Sequence, residues 1–406
     1  MIKRHLEAVC LSPEIGRQML FITGPRQAGK TTLARHMLAA AGSGSLYYNW
    51  DLREIRDKYK IDPSFFESAM REVKSRRRLP WICFDEVHKM PSWKNLLKGV
   101  FDKFEDECRF IVTGSARLEW MRRAGDSLAG RYFLYHLNPL MLAETAGRAH
   151  LEPAAGESAQ KFIERKLESR RPEQALLEQL IRFSGFPEPL IKADMAFYHR
   201  WQREMVDTLT REDVRDLTRI LAVEHVATLM QLLPERVGSP LSLNSVKEDV
   251  EISYTAVRNA VRAMELTYAL FLIPPYSRNI ARAVKKEKKC YFYDWGRCRD
   301  LAKRFENYVA LGLKSSVELW HDKGIADFAM NYVRTKDGKE TDFLISRDGK
   351  PWCLFEAKLK AENIARHHFD QARALGGIPF VQLVHEPHVY KKPAPGFWCV
   401  SAGRFY

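Results

Sequence analysis

The chain has 406 residues, an apolar share of 46% and a formal net charge of +14. This length allows about two to four domains with buried cores. No apolar run approaches the roughly 20 residues that span a bilayer, and the N-terminus lacks a signal-peptide core, so we expect a cytoplasmic protein with no membrane partner. The seven cysteines show no paired spacing, which argues against a zinc ribbon or a disulfide framework. The excess basic charge is typical of proteins that bind polyanions, usually nucleic acid.

The first predicted element is a buried strand at residues 19–22, followed by a glycine-rich loop and a stretch rich in helix formers. The loop fits the P-loop pattern, whose backbone N–H groups converge on phosphate oxygens at a helix N-terminus. Lys30 is expected to reach the β- and γ-phosphates, and the Thr31 hydroxyl to bind Mg²⁺. The sequence therefore predicts ATP and Mg²⁺ as cofactors. The candidate nucleotide-binding residues of this loop are Gly24, Pro25, Arg26, Gln27, Ala28, Gly29, Lys30, Thr31 and Thr32.

A second buried strand at residues 81–84 ends in the pair Asp85 and Glu86, after another predicted strand at residues 45–51. This is the Walker B arrangement, in which parallel strands deliver carboxylates to the edge of the sheet where ligands bind. Asp85 is expected to hold Mg²⁺ through water. Glu86 is expected to orient and deprotonate the attacking water.

Two further residues are candidates for sensing or stabilising the γ-phosphate. Ser115 follows a short strand at residues 110–112, where a polar group could sense that phosphate. Arg131 precedes a strand-like segment at residues 132–137. An arginine in this place can project into a neighbouring subunit's nucleotide as an arginine finger, or it can form a structural ion pair.

The middle of the chain predicts a helical lid followed by a winged helix-turn-helix. Helical patterns run from about residue 161 to residue 234, and a short helix, a turn and a helix capped by Ser253 follow. Two strands around a basic loop complete a winged-helix pattern, which serves either DNA binding or protein contact. The candidate DNA-binding residues are Arg258, Arg262, Arg282, Lys285, Lys286, Lys288 and Lys289.

The last segment predicts an α/β domain with a helix, three strands joined by Asp-Gly turns, a helix and a strand. Glu356 and Lys358 are two apart on one strand and share a face, and Asp342 lies on the neighbouring strand. Two carboxylates and a lysine on one sheet face form a PD-(D/E)XK nuclease constellation, in which the carboxylates bind Mg²⁺ and the lysine activates water. Glu306 and Gln371, on the flanking helices, are candidates to complete it. The alternative is a nuclease-like fold that no longer cuts.

These predictions give an α/β protein with four domains. They are a P-loop ATPase core at residues 1–147, a helical lid at 148–234, a winged helix at 235–300 and a PD-(D/E)XK nuclease-like domain at 301–406.

The segments GPRQAGKTT, FDE, TGSARL, SLAGRY, GFPE and KETDFLI…FEAK together resemble a large bacterial and archaeal family. Its members join an AAA+ ATPase to a C-terminal domain of undefined function. The resemblance implies a nucleotide-switched homo-oligomer, for which we expect a hexamer, with Arg131 acting across an interface. The order of ATPase, lid and winged helix is also similar to that of Holliday-junction branch-migration motors. Thr341 stands where the nuclease signature has proline.

The function predicted from these features is that of a ring-forming ATPase that binds DNA, possibly branched, and remodels it or translocates on it. Two alternatives stay open. One is an ATP-gated, metal-dependent DNA nuclease. The other is a nucleotide-controlled regulator or defence sensor.

Overall fold

A computed structural model describes residues 2–74, 79–90, 92–114, 128–168, 172–210, 221–277 and 286–406. The chain divides into two compact units. The first comprises Lys3–Asn138 with Leu266–Tyr268, and the second comprises Pro139–Glu265 with Ala269–Tyr406. The three segments that the sequence separates after residue 147 lie in the second unit, apart from Leu266–Tyr268. Three predicted site residues lie outside the described residues: Ser115, Arg282 and Lys285.

A parallel five-stranded sheet organises the first unit, in the order β2-β3-β4-β1-β5. The strands are β1 (Met19–Thr23), β2 (Tyr47–Asn49), β3 (Trp81–Asp85), β4 (Arg109–Thr113) and β5 (Tyr132–His136). All five residues of β1 are buried, as expected for a strand covered on both faces. The order places β4 between the P-loop strand and the strand that ends at Asp85, so the predicted α/β parallel sheet is confirmed.

Helices cover this sheet and complete the core of the first unit. They are α1 (His5–Cys10), α2 (Lys30–Ala40), α3 (Arg53–Ile61), α4 (Glu67–Val73) and α5 (Trp93–Phe104), with 3-10 turns at Pro13–Ile15 and Val87–Lys89. One large cluster of buried side chains, including Phe21, Trp50, Phe84 and Phe110, packs between sheet and helices. The ring of Phe84 stacks on that of Phe110 and meets that of Trp50 edge-on.

The second unit begins with a run of helices. They are α6 (Leu142–Thr145), α7 (Ala159–Glu168), α8 (Gln174–Phe183), α9 (Pro187–Lys192), α10 (Met195–Thr208), α11 (Leu221–Leu232), α12 (Leu243–Val250) and α13 (Tyr254–Leu266), with 3-10 turns at Leu233–Arg236 and Trp295–Arg297. The predicted cap of α13 is confirmed, because the backbone N–H of Ala256 donates to Ser253 Oγ at 3.1 Å. An antiparallel pair of strands, β6 (Leu270–Ile273) and β7 (Lys289–Phe292), follows α13.

The C-terminal part of the second unit is a six-stranded mixed sheet, in the order β12-β13-β11-β10-β9-β8. Its elements are α14 (Leu301–Asp322), β8 (Phe328–Arg334), β9 (Glu340–Arg347), β10 (Lys350–Lys358), α15 (Arg366–Ala374), β11 (Phe380–Val384), β12 (Tyr390–Ala394), β13 (Phe397–Ser401) and α16 (Ala402–Phe405). The predicted succession of a helix, three strands, a helix and a strand is found. Within the described residues, no helix has the length and apolar character needed to cross a membrane.

Candidate nucleotide site and acidic cluster

The P-loop joins β1 to α2 in a conformation that requires glycine. Gly24 has a φ of +143°, and a Cβ at this position would lie 2.3 Å from the carbonyl oxygen of Leu137. Gly29 caps α2 with a left-handed φ of +99°. Lys30 begins the helix, and its ammonium donates to the carbonyl oxygens of Gly24 at 2.9 Å and Pro25 at 2.8 Å. The lysine head therefore lies inside the loop that the motif assigns to phosphate.

Asp85, at the end of β3, is the acceptor for hydroxyl groups from three different elements. Thr31 Oγ1 on α2 donates to Asp85 Oδ2 at 3.0 Å. Tyr47 on β2 donates to the same carboxylate oxygen, and Thr113 on β4 donates to the other one. The Arg35 guanidinium lies over the Tyr47 ring, with Arg35 Cζ 4.2 Å from the ring centroid. Burial and the neighbouring Asp85 raise the pKa of Tyr47, so its hydroxyl stays protonated.

This set of oxygen atoms fits Mg²⁺ as it is bound in nucleotide sites, by one carboxylate, one hydroxyl and the phosphates of the ligand. Thr31 and Asp85 are the two protein groups that the motifs assign to the ion, and their side chains are in direct contact. The sequence missed Tyr47 and Thr113. Thr113 ends the strand paired with β3 and is in register with Asp85, a pairing that only the strand order reveals.

Glu86 follows directly and has an unusual backbone. Its φ of +56° is in the left-handed region, which is uncommon for a residue with a side chain. Its side chain is 22% exposed, and Oε2 lies 3.4 Å from His88 Nε2 and 3.9 Å from Lys89 Nζ. Burial raises the pKa of Glu86, while Lys30 and Lys89 oppose the shift. Such a carboxyl has the properties of a general base.

Arg131 forms an ion pair within its own unit. Its Nε and Nη2 donate to the two carboxylate oxygens of Asp102 at 2.8 and 3.2 Å. This is the structural role that the sequence left open. The arginine-finger role in a neighbouring subunit stays a prediction.

The predicted DNA-binding residues separate into exposed and buried ones. Arg258 and Arg262 are exposed on α13, whereas Val257 and Val261 are buried on its other side. Lys286 is exposed and Lys288 is half-buried.

Lys289 departs from the prediction. It is only 1% exposed and cannot contact phosphates in this position, so its assignment to a basic surface loop is wrong. Lys289 begins strand β7, and strand side chains alternate between faces. The sequence signal that could have indicated a buried Lys289 was its spacing of two residues from Tyr291, which puts both side chains on the same face of a strand. Tyr291 is fully buried.

Two of the predicted nuclease residues, Glu306 and Asp342, lie around the Lys289 ammonium in the second unit, together with Glu340. Lys289 Nζ is 2.6 Å from Glu340 Oε1, 3.3 Å from Asp342 Oδ1 and 3.6 Å from Glu306 Oε1. Glu356 lies beside Asp342, accepting from its backbone N–H at 3.3 Å. We call Glu306, Glu340, Asp342 and Glu356 the acidic cluster. The sequence missed Glu340, although its position two residues before Asp342 on β9 placed it on the same face.

Lys358 contacts the acidic cluster through Glu356, with Nζ 3.2 Å from Oε1. Burial raises the pKa of Glu356 to about 8, and Asp342 adds to the shift. Burial also raises the pKa of Glu306 to about 7, again with a contribution from Asp342. Burial alone would lower the pKa of Lys289, but the surrounding carboxylates outweigh it and keep the ammonium charged.

Gln371 lies next to the acidic cluster but contacts other groups. Its Oε1 accepts from the hydroxyl of Thr341, and its Nε2 donates to the carbonyl of Lys339 at 3.2 Å. The Thr341 hydroxyl also lies 2.7 Å from His368 Nδ1. Threonine in place of the signature proline thus supplies a hydroxyl that ties β9 to α15. Burial lowers the pKa of His368 to about 4.

The acidic cluster does not fit a divalent cation as it stands. Among the described residues, no group of three or more His, Cys, Asp or Glu side chains has the arrangement to hold a metal ion. The carboxylates do converge, but the Lys289 ammonium lies between three of them and is paired with each.

Comparison with known proteins agrees with the site geometry of the first unit. Residues 16–146 match the family model of the AAA domain, and residues 174–308 match that of a domain of unknown function. An uncharacterized protein of Mycobacterium tuberculosis is 21% identical over 376 residues, which cover 90% of this chain and 76% of that protein. An uncharacterized protein of Methanocaldococcus jannaschii is 22% identical over 294 residues, covering 68% of this chain and 60% of that protein.

Two solved structures are similar in part. The ORC1 protein of Aeropyrum pernix in complex with DNA has 15% identity and a TM-score of 0.29, with 77% of this chain and 92% of that chain covered. AMPPCP-bound DnaA of Aquifex aeolicus has 17% identity and a TM-score of 0.30, with 64% and 86% covered. Scores of this size do not establish a shared whole-chain fold. The match to the AAA domain, residues 16–146, contains the P-loop, Asp85 and Arg131.

Proposed function

We propose that this protein is an AAA+-type ATPase that hydrolyses ATP with Mg²⁺ and couples hydrolysis to work on DNA. The observation that carries the ATPase assignment is the 3.0 Å contact between the Thr31 hydroxyl and Asp85, directly beside Lys30 in the P-loop. These groups come from a strand end and a helix start that are distant in sequence. The P-loop motif and the strand that ends at Asp85 require this contact, because the Thr31 hydroxyl and Asp85 are both expected to bind the same Mg²⁺ ion.

The roles of the residues follow from their positions. The backbone N–H groups between Gly24 and Thr31 cradle the phosphates, and Lys30 exchanges its two carbonyl acceptors for phosphate oxygens. Thr31 and Asp85 would hold Mg²⁺, and the ion would neutralise charge on the phosphates. Glu86 takes the proton from the attacking water. Its raised pKa brings the base closer to neutral pH, where proton transfer is most effective.

Oligomerisation is the second part of the proposal. We propose a ring of identical subunits, a hexamer, in which Arg131 reaches the nucleotide of the next subunit. Asp102 holds the guanidinium within one chain through two hydrogen bonds. A finger role therefore requires that Arg131 exchange this carboxylate for a phosphate oxygen. A carboxylate and a phosphate group can each accept two hydrogen bonds from a guanidinium, so the exchange keeps the number of hydrogen bonds that Arg131 makes.

DNA contact is the third part, and it is supported by charge and exposure. Arg258 and Arg262 lie one helical turn apart on the exposed face of α13, which follows α12 and precedes the two-stranded sheet, and we interpret this arrangement as the predicted winged helix. Lys286, shortly before β7, is also exposed. We propose that this winged helix contacts the phosphate backbone, where lysine and arginine give affinity without reading sequence.

The experiment is the steady-state ATPase rate with single-stranded, duplex, forked and four-way DNA. We expect a many-fold stimulation by at least one DNA, and its loss in the double variant Arg258→Ala/Arg262→Ala. The matched control is Arg53→Ala/Lys60→Ala, which removes the same charge from the exposed face of α3. Slow hydrolysis that no DNA changes would refute the motor and favour the nucleotide-controlled regulator.

The nuclease alternative is not part of this proposal. Asp342, Glu356 and Lys358 do converge, but Asp342 is paired with Lys289 and Glu356 with Lys358, so both carboxylates that a metal-dependent nuclease would use are engaged in ion pairs.

A further inference from the structure

The acidic cluster is built around an internal cation. The Lys289 ammonium is nearly inaccessible to solvent and lies within 3.6 Å of carboxylates from α14 and β9. On its other side, the ammonium lies 5.6 Å from the centroid of the Tyr332 ring. Buried carboxylates that share a small space repel one another unless a cation compensates them. Here the compensating charge belongs to the chain itself.

Other groups of the protein also contact oxygens of the acidic cluster. Tyr291 donates to Glu306 Oε1 at 2.7 Å, and the backbone N–H of Ala357 donates to Asp342 Oδ2 at 3.0 Å. Glu356 is held by Lys358. A Cβ on Gly238 would lie 2.5 Å from Glu306 Oε2, so the glycine leaves room for this carboxylate against the backbone.

Lys289 is held in this position by its backbone as well as by its charge. It pairs with Ile273 in the two-stranded sheet and forms a bridge with Pro240. The neighbouring carbonyl of Lys288 accepts from the N–H of Leu241 at 2.8 Å, and Tyr332 donates to the carbonyl of Glu287 at 2.7 Å. The ammonium is thus delivered to the cluster by a strand that is fixed on both sides.

We propose that Lys289 takes the place of a divalent cation in the acidic cluster, so that the native site excludes Mg²⁺ and Mn²⁺ and a neutral residue at this position admits one ion. The ligands of the admitted ion would be oxygens of Glu306, Glu340 and Asp342, which are hard donors suited to either metal. This proposal goes beyond the ATPase function and does not depend on it.

The test is Mn²⁺ binding without nucleotide, measured as ions bound per chain by electron paramagnetic resonance and as the Mn²⁺-induced shift in melting temperature. The variants are Lys289→Met, Lys289→Met/Asp342→Asn and Asp342→Asn. The control is Lys286→Met, which removes the same charge from an exposed position on the same segment. All variants keep the same P-loop, so any Mn²⁺ bound at Asp85 is common to them.

We expect one additional Mn²⁺ per chain and a Mn²⁺-dependent rise in melting temperature for Lys289→Met alone. The double variant and the Lys286→Met control should bind as the native protein does. A folded Lys289→Met variant that gains no Mn²⁺ would overturn the proposal. If Lys289→Met does not fold even with Mn²⁺, the metal has failed to replace the ammonium, which also overturns it. Independently, loss of bound Mn²⁺ in the single Asp342→Asn variant would show that the native cluster already binds metal.

Discussion

Glu86→Gln removes one charge from the nucleotide site and leaves the size of the side chain unchanged. Loss of a general base lowers turnover by about 10²–10⁴-fold, which corresponds to about 3–5 kcal/mol in the activation barrier. The local structure should tolerate the change, because the amide oxygen of glutamine can keep the 3.4 Å contact with His88. Nucleotide binding should also persist, since Lys30, Thr31 and Asp85 are untouched.

The assay has two readouts, phosphate release at saturating ATP and the Kd for a fluorescent nucleotide analogue. We expect Glu86→Gln to lose turnover and keep its affinity for nucleotide. Lys30→Ala should weaken binding itself, because it removes the ammonium that lies inside the phosphate loop. Glu54→Gln, a matched change at an exposed position of α3, should leave both readouts unchanged.

The pH dependence adds an independent check on the role of Glu86. A base works when ionised, so the raised pKa moves the acidic limit of turnover above the 4.5 of an ordinary glutamate. The Glu86 carboxyl binds its proton more tightly in the folded chain than in the unfolded chain. The ionised side chain therefore lowers the free energy of unfolding as pH rises from 4.5 through the raised pKa. Glu86→Gln should therefore not lower the melting temperature at neutral pH. Turnover within threefold of the native rate, or a residual rate with the same acidic limit, would remove Glu86 from the catalytic role.

Three further predictions concern other parts of the chain. Arg131→Ala should abolish hydrolysis and leave nucleotide affinity unchanged. Mixing Arg131→Ala subunits with Glu86→Gln subunits should restore hydrolysis. Mixtures without activity would exclude an arginine finger. Arg258→Ala/Arg262→Ala should weaken binding of all DNA sequences alike and reduce the slope of log K against log salt by about one unit per lost phosphate contact; an unchanged slope would mean that this face meets protein. Burial lowers the pKa of His368 from 6.5 to about 4 in the folded chain. The neutral side chain therefore contributes stability that is fully present above pH 6.5 and is lost as pH falls towards 4. His368→Gln should therefore flatten the decline of melting temperature over this range, and an unchanged decline would contradict the assignment.

The sequence predicted the first unit well because its signals are local. The strands that carry the P-loop and Asp85 begin at the predicted residues 19 and 81 and end within one residue of the predicted ends. Each is a short run of buried residues, and each motif sits at a strand end, where the backbone direction fixes its neighbours. Thr113 and Tyr47 were missed because a hydroxyl at a strand end has no distinctive pattern. Only the strand order shows that both point at Asp85.

The second unit shows the opposite case. Alternation placed Asp342, Glu356 and Lys358 on one sheet face, and the structure brings them together. The partner that determines their chemistry, Lys289, is more than 50 residues away from Asp342 and 17 residues before Glu306 in sequence. It ends a run of lysines and arginines, which composition alone assigns to a solvated loop. The distinction between Lys286 and Lys289 depends on where strand β7 begins, and boundaries are the least certain part of a sequence prediction.

The two sites gather carboxylates in opposite ways, and the difference bears on what each can do. At Asp85 the surrounding groups are hydroxyls, which polarise the carboxylate without neutralising it and so leave its charge to attract a metal ion. In the acidic cluster the neighbours include the ammonium groups of Lys289 and Lys358. These groups neutralise charge and belong to the protein chain itself. A soluble cation can leave with its nucleotide, and a side chain cannot. The first arrangement suits a site that changes with each round of hydrolysis, and the second suits one whose compensating cation is fixed in place by folding.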